Sequence, residues 1–396
     1  MNFQKWFALR IYFLLIPLFL FSGSPQKSIT LKDIYKTGKV EFAPIMRMTK
    51  ESIPINIPLK GINSICRLHD RLYILDTDSN NIKVFNTDGQ FIKVFGKEGS
   101  SESELNIPNC MNVIDSHLVV WEIGTHRFSV FNADGEFKHT LQPFKKGFVE
   151  NFDSLGNGNL VIERTSYGSV KDDIYKSVLI ELYSKNFKFI KVLYQKQLIH
   201  SRIFRTSGKD SKYIPLPFQP EVSWHILPGI NGKNTNKIVI GCSDTYSIDI
   251  IDTETGISRS FTHSYSPVKV NETDKSQYFN SLIQSDSEGN HTYGADRFTI
   301  ANTTFPEYKP VFKQLITDYE GNILIFTYTD SDNGKNRYHA TEFDTFDTDG
   351  QFINHVKIAN DIEIPIIHLF SEKDHIFWGY SAEKTMPIGL TKYIVN

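Results

Sequence analysis

Cysteine is scarce in this chain: Cys66, Cys110 and Cys242 are the only three in 396 residues, and no two form a Cys-x-x-Cys pair. That rules out a disulfide-stapled scaffold and a paired-cysteine metal or redox motif, and it leaves stability to an apolar core. Charge of one sign is missing too. Lys and Arg number 43 against 45 Asp and Glu, a formal net charge of −2 with no long block of either sign. This argues against nucleic acid as a partner, because its phosphates call for a basic stripe. No Gly-x-Ser-x-Gly elbow, His-Glu-x-x-His, phosphate loop or dinucleotide fingerprint occurs, so none of the common catalytic frameworks is signalled.

Long apolar runs are also missing beyond the N-terminus. Residues 11–21 form one, interrupted by Pro17, preceded by Lys5 and Arg10 and followed by Ser22-Gly23-Ser24. The pattern predicts an export signal over 1–24, since the run falls short of the ~20 apolar residues that span a bilayer. Pro25 stands directly behind the best cleavage point. An uncleaved anchor, and membrane contact through it, is therefore the alternative. Residues 25–396 are read as a single domain of an exported protein, periplasmic or secreted. The three cysteines are expected as buried small hydrophobes, with a Cys66–Cys110 bridge as the other possibility.

What the chain does have is repetition. Leu72-Tyr73-Ile74-Leu75, Leu118-Val119-Val120-Trp121, Leu160-Val161-Ile162, Ile238-Val239-Ile240, Ile323-Leu324-Ile325-Phe326 and Ile376-Phe377-Trp378 share one apolar signature. Several are followed by a second phrase: Val84-Phe85-Asn86-Thr87-Asp88-Gly89-Gln90-Phe91, Val130-Phe131-Asn132-Ala133-Asp134-Gly135-Glu136-Phe137 and Phe346-Asp347-Thr348-Asp349-Gly350-Gln351-Phe352. A period of roughly 40 to 50 residues, written in β-forming residues, predicts a propeller. Each unit reads as four antiparallel strands, with Asp-Gly as a two-residue hairpin. The apolar runs are unbroken rather than alternating, so both faces of each sheet must be covered. The expected fold is therefore all-β: a six-bladed β-propeller with blades at about 62–95, 110–141, 148–193, 222–262, 312–358 and 364–396. The last unit looks one strand short, and residues 40–48 are expected to supply it and close the ring.

The long segments, 164–176, 195–218, 263–309 and 330–339, all fall between second and third strands or between blades. They are expected to crowd one face, the usual binding side of a repeat protein. The longest should carry a helix capped by Asn271 or Thr273.

These residues resemble the six-bladed propellers of NHL-type repeats, especially an exported bacterial branch. The resemblance rests on Leu72-Tyr73-Ile74-Leu75-Asp76, on Ile82-Lys83-Val84-Phe85 with Asp88-Gly89-Gln90-Phe91, on Phe95-Gly96-Lys97-Glu98-Gly99, and on Phe305-Pro306-Glu307-Tyr308-Lys309-Pro310 with Asp318-Tyr319-Glu320-Gly321-Asn322. It covers nearly all of the chain after the signal. It implies the fold and leaves function open, because related families include lyases and lactonases, often with a channel metal, as well as pure binding modules.

Two candidate sites follow. A binding face would combine His126, Arg127, Tyr167, His200, Arg202, Arg205, Trp224, Arg337 and His339, since Arg and aromatic residues anchor interfaces. It would hold a protein or small-molecule ligand without chemistry and without a cofactor. The alternative is a hydrolase or lyase with Ca²⁺ in the central channel, ringed by Asn63, Asn109, Asn112, Glu150, Asn151, Glu221 and His368, because hard cations take oxygen ligands.

Overall fold

A computed structural model describes residues 29–48, 53–54, 56–144, 147–205, 211–229, 233–285, 291–329, 339–359, 363–366, 369–381 and 389–396. The expected signal over 1–24 lies outside the described residues, as do Arg337 and His368.

The unbroken apolar runs explain the architecture. In the second strand of blade 1, Arg71–Asp76, alternate residues face different neighbours. Leu72 and Ile74 join a cluster shared with blade 6, while Tyr73 and Leu75 join one shared with blade 2. Blade 2 repeats this: Leu118 and Val120 face blade 1, and Val119 and Trp121 face blade 3. In blade 5, Ile323 and Ile325 face blade 4, whereas Leu324 and Phe326 face blade 6. Six buried clusters result, each joining two adjacent blades, and one of them joins the sixth to the first. Burying one such side chain is worth about 1.5–3 kcal/mol.

The fold is a six-bladed β-propeller of antiparallel sheets. Blade 1 runs Ile62–Leu68, Arg71–Asp76, Asn81–Asn86, Phe91–Phe95, and blade 2 runs Pro108–Ile114, His117–Glu122, Arg127–Phe131, Phe137–Leu141. Blade 4 comprises Val222–Pro228, Asn234–Cys242, Ser247–Asp252 and Ser258–Thr262. Blade 5 comprises Phe312–Thr317, Ile323–Thr327, Glu342–Phe346 and Phe352–Ile358. In blade 6, Phe370–Glu372, Ile376–Ser381 and Gly389–Val395 are flanked by Phe42–Met48, antiparallel to the last strand with Phe42 opposite Val395. Its innermost strand starts later than expected, because Ile364–Pro365 pairs instead with His339–Ala340. Lys39–Val40 adds a parallel strand to blade 5, and helix Leu31–Tyr35 packs its Leu31 and Tyr35 into the cluster between blades 5 and 6.

Blade 3 departs most from expectation. Residues 164–176, read as a loop, instead extend two strands: Leu160–Val170 pairs with Asp173–Tyr183 across a tight turn at Lys171-Asp172, Lys171 taking φ +55°. Residues 195–218 also differ, as Phe189–Arg205 continues the sheet and Ser211–Pro215 folds back as a fifth strand. Backbone pairing satisfies the peptide groups of these long segments, which a loop of that length would leave to water. The insertion 263–309 does carry a helix, Glu272–Ser281, capped by Asn271 in a reciprocal box with Asp274.

The Asp-Gly hairpins also differ from the two-residue turn. Only the glycine has positive φ, +80° at Gly89 and +74° at Gly135. Asn86 Oδ1 accepts from the amides of Asp88 and Gln90 at 3.1 and 2.8 Å, giving a three-residue turn closed by a glycine bulge. A two-residue turn with both φ values positive does occur at Asp115-Ser116. The cysteines are free and buried. Burial pushes the Cys66 and Cys110 thiols far up and Cys242 to about 11, which leaves them unreactive at neutral pH.

Candidate functional site

The innermost strands of blades 1, 2, 3 and 5 each carry a β-bulge near their start, and the bulged residues are Asn63, Asn109, Glu150 and Lys313. A bulge re-aims a side chain out of the regular pleat, and here it builds a polar ring at one mouth of the channel. Asn63 Nδ2 donates to the carbonyl and side chain of Asn109. Asn109 Nδ2 donates to the Val149 carbonyl at 2.8 Å. One turn of strand below, Asn112 Nδ2 donates to the Phe152 carbonyl at 2.8 Å while its Oδ1 accepts from Val113. These asparagines stitch blades 1, 2 and 3 together through their side-chain Nδ2 groups. Asn151 Oδ1 likewise accepts from the Phe152 amide at 2.9 Å. Among the described residues, no three His, Cys, Asp or Glu side chains are grouped to hold a metal ion.

At Glu150 the ring changes chemistry. Glu150 accepts from Thr165 Oγ1 at 2.7 Å, and its neighbours are Glu163 and Glu221. Glu163 occupies the slot that is Leu75 in blade 1 and Trp121 in blade 2, both wholly buried. A carboxyl in an apolar position resists ionisation. Burial first, then the charges of Glu150 and Glu221, raise its pKa to about 7 against the pull of the Trp224 indole, whose Nε1 donates at 2.9 Å. The Glu221 amide donates to Ser243 Oγ at 2.9 Å.

The binding-face residues do not form one patch. Tyr167, His200 and Arg202 share the projecting strands of blade 3: Tyr167 meets His200 edge-on at 5.1 Å, and Arg202 Nε pairs with Asp173 at 3.1 Å. Desolvation and the Lys176 charge hold the His200 imidazole below its ordinary pKa. Arg205 is on the same strand, and its side chain lies outside the described residues. Three others are corrected from surface anchors to framework. Arg127 is buried, pairing with Glu122 at 3.0 Å and donating to the carbonyls of Ser101 and Glu104, so it fastens the link between blades 1 and 2. Trp224 is 4% exposed within the cluster between blades 3 and 4. His339 is buried beside Ile364–Pro365. His126 has φ +51° at the tip of blade 2, and its ring lies 6.2 Å from Trp121. Folding alone revealed these burials, because each depends on a neighbouring blade.

A cleft of about 510 Å³ opens on the loop-rich face between blades 4 and 5. Its wall includes Tyr265, Ser266, Tyr328, Glu342, Asp344 and His355. His355 Nδ1 lies 2.8 Å from Asp344 Oδ1 and its Nε2 3.5 Å from Glu342 Oε1. Asp344 Oδ2 in turn accepts from Tyr246 Oη at 2.5 Å. Hydrogen bonds to Asp344 and then Glu342 raise His355 to about 9, so the imidazolium persists at neutral pH. This cleft was not anticipated from the sequence, although a signal was present. Asp344 and His355 flank the Asp349-Gly350 turn in register and face each other across the hairpin.

A family model described as a 6-bladed beta-propeller matches residues 32–140, the N-terminal helix and the first two blades. Among solved structures, a Bacteroides fragilis protein thought to be exported is 12% identical, with 90% of this chain and 95% of that one covered and a TM-score of 0.48. A member of the DUF4221 family from Bacteroides vulgatus is 10% identical, covering 91% and 98% at a TM-score of 0.47. The virginiamycin B lyase of Staphylococcus aureus is 12% identical, covering 90% and 99% at 0.38. No curated protein matches. The family model agrees with the propeller fold, and none of these relations assigns a ligand or reaction to this chain.

Proposed function

We propose that this chain is an exported, non-catalytic binding module of NHL-like repeats that engages a small ligand on its loop-rich face. The propeller is a general binding and scaffold fold, and one observation carries the finer reading: a preformed cleft between blades 4 and 5, lined by aromatic rings, hydroxyls and a fixed Glu342–His355–Asp344 trio. Its volume sits within the roughly 300–1,000 Å³ usual for small-ligand sites. Export rests on residues 1–24, and no helix among the described residues is long and apolar enough to cross a membrane. A ligand screen by thermal shift on wild type and a cleft-filling Ser266→Trp variant tests the reading. Ligands that raise the melting temperature of wild type alone support it. Hits that stabilise both proteins equally place binding elsewhere.

A second reading, a hydrolase or lyase at the channel mouth, is favoured by Glu163. A carboxyl poised at about 7 beside Glu150 and Glu221 is a general acid in waiting. Turnover abolished by Glu163→Gln, with the fold intact, would replace the first reading with this one.

A further inference from the structure

We propose that the cleft between blades 4 and 5 takes a neutral, polyhydroxylated ligand, a saccharide, rather than a cation or an anion. The inference rests on the cleft being the binding site, and it follows from how the walls distribute charge. Both signs are present and already in contact, one imidazolium between two carboxylates. His355 lies between Asp344 and Glu342, and behind the cleft Lys309 is locked to Asp274 at 2.8 Å, both side chains buried.

An entering cation meets two obstacles. The His355 imidazolium already sits between the two acids and offsets one of their two charges. The Tyr328 ring, whose face would attract a cation, has the ammonium groups of Lys309 and Lys313 at 5.5 and 5.2 Å from its centroid. An entering anion meets Glu342 and Asp344, and among the described residues the lining offers no lysine or arginine. A neutral ligand meets neither penalty.

The remaining wall suits hydroxyl groups. Each carboxylate has about four acceptor positions, and the contacts to His355 and Tyr246 use only part of them. Hydroxyl donors to a carboxylate make charge-assisted bonds, stronger than neutral ones. The Ser264 and Ser266 hydroxyls line the opening and engage in no hydrogen bond among the described residues. Tyr265, 44% exposed, presents a ring, and Pro267 and Pro310 present flat apolar surfaces. Carboxylates, hydroxyls and a bare ring around one opening can bind the alternating C–H and O–H faces of a sugar.

The test is titration calorimetry on the protein comprising residues 25–396, against neutral mono- to tetrasaccharides, with spermidine and citrate as cationic and anionic probes. Wild type is expected to bind at least one neutral saccharide saturably, and Tyr265→Ala and Glu342→Gln each to weaken it about tenfold or more, a difference of roughly 1.4 kcal/mol. Melting curves of both variants check that they fold. Saturable binding of spermidine or citrate alone, lost in the same variants, overturns the saccharide assignment and leaves the cleft as the site. Saccharide binding unchanged by both variants overturns the cleft itself. Absence of binding by every probe overturns the proposal.

Discussion

In blade 1 the second strand ends on Asp76 and the third answers with Lys83; in blade 3 the same two positions hold Arg164 and Glu181, the same pair with its signs reversed. The two pairs are not equivalent in what else they do. Asp76 also accepts from the amides of Lys60 and Gly61, both at 3.0 Å, so it latches the incoming link to the sheet. Glu122 repeats that latch in blade 2 by accepting from the Asn106 amide at 2.9 Å. An arginine cannot accept. Arg164 instead lies over the Phe144 ring at 4.2 Å, and Glu181 takes the Tyr183 hydroxyl at 2.8 Å. The strands of blade 3 run on past this position into the projecting ribbon. One position thus has two roles: pairing with the next strand tolerates either sign, whereas latching the link needs an acceptor, which an arginine lacks.

The largest expected effect breaks the latch. Asp76→Ala should cost about 3–5 kcal/mol in urea unfolding, because it strands the wholly buried Lys83. Exchanging Asp76 and Lys83 should not restore stability, since the two link amides still lose their acceptor. Exchanging Arg164 and Glu181 should be tolerated far better. Equal losses in the two exchanges would refute the distinction.

Next comes Glu163, the acid in an apolar slot of blade 3. Its folded pKa of about 7 lies above the ordinary 4.5. Folding therefore favours the protonated form, so the chain loses stability as pH rises from 4.5 to 7 and the penalty is constant above that. Glu163→Gln should stabilise by about 1–3 kcal/mol at pH 8 and have little effect at pH 4.5, read from denaturation at both values. A pH-independent effect would remove the burial argument.

His355 has the opposite dependence. A folded pKa of about 9 against the ordinary 6.5 means its contribution is full below pH 6.5 and is lost as pH rises through 9. It is partly solvent-screened, so about 1 kcal/mol is expected. The difference in melting temperature between wild type and His355→Gln should shrink from pH 6 to pH 10. Smallest of all is Arg202→Ala on the exposed ribbon, where loss of the Asp173 pair should cost only about 0–1 kcal/mol. A loss of 3 kcal/mol there would show that the ribbon is as structurally critical as the buried latch.

Much of the fold was legible because the repeats state it twice, once in apolar runs such as Leu72–Leu75 and once in hairpins such as Asp134-Gly135. The channel mouth was half legible: Asn63, Asn109 and Glu150 were identified as inner-strand residues, but their shared bulge and the use of the asparagines as stitches between blades were not. Glu163 could have been found by aligning Leu-Val-Ile-Glu with Leu-Tyr-Ile-Leu and reading the misfit as a site. Arg127, Trp224 and His339 were misread for one reason. An arginine, tryptophan or histidine in isolation looks like surface, and only a facing blade makes it interior.

Local chemistry along the chain thus determined the strands, their number per blade and the sixfold count, since pleat, turn and apolar period act between residues close in sequence. Tertiary structure alone decided which polar residues are exposed, that His355, Asp344 and Tyr246 meet at one cleft, and that the blade 3 strands project. Those outcomes depend on contacts between residues far apart in the chain, 98 positions for Tyr246 and Asp344 and 305 for Arg67 and Glu372, and no local pattern encodes the burial that such contacts impose.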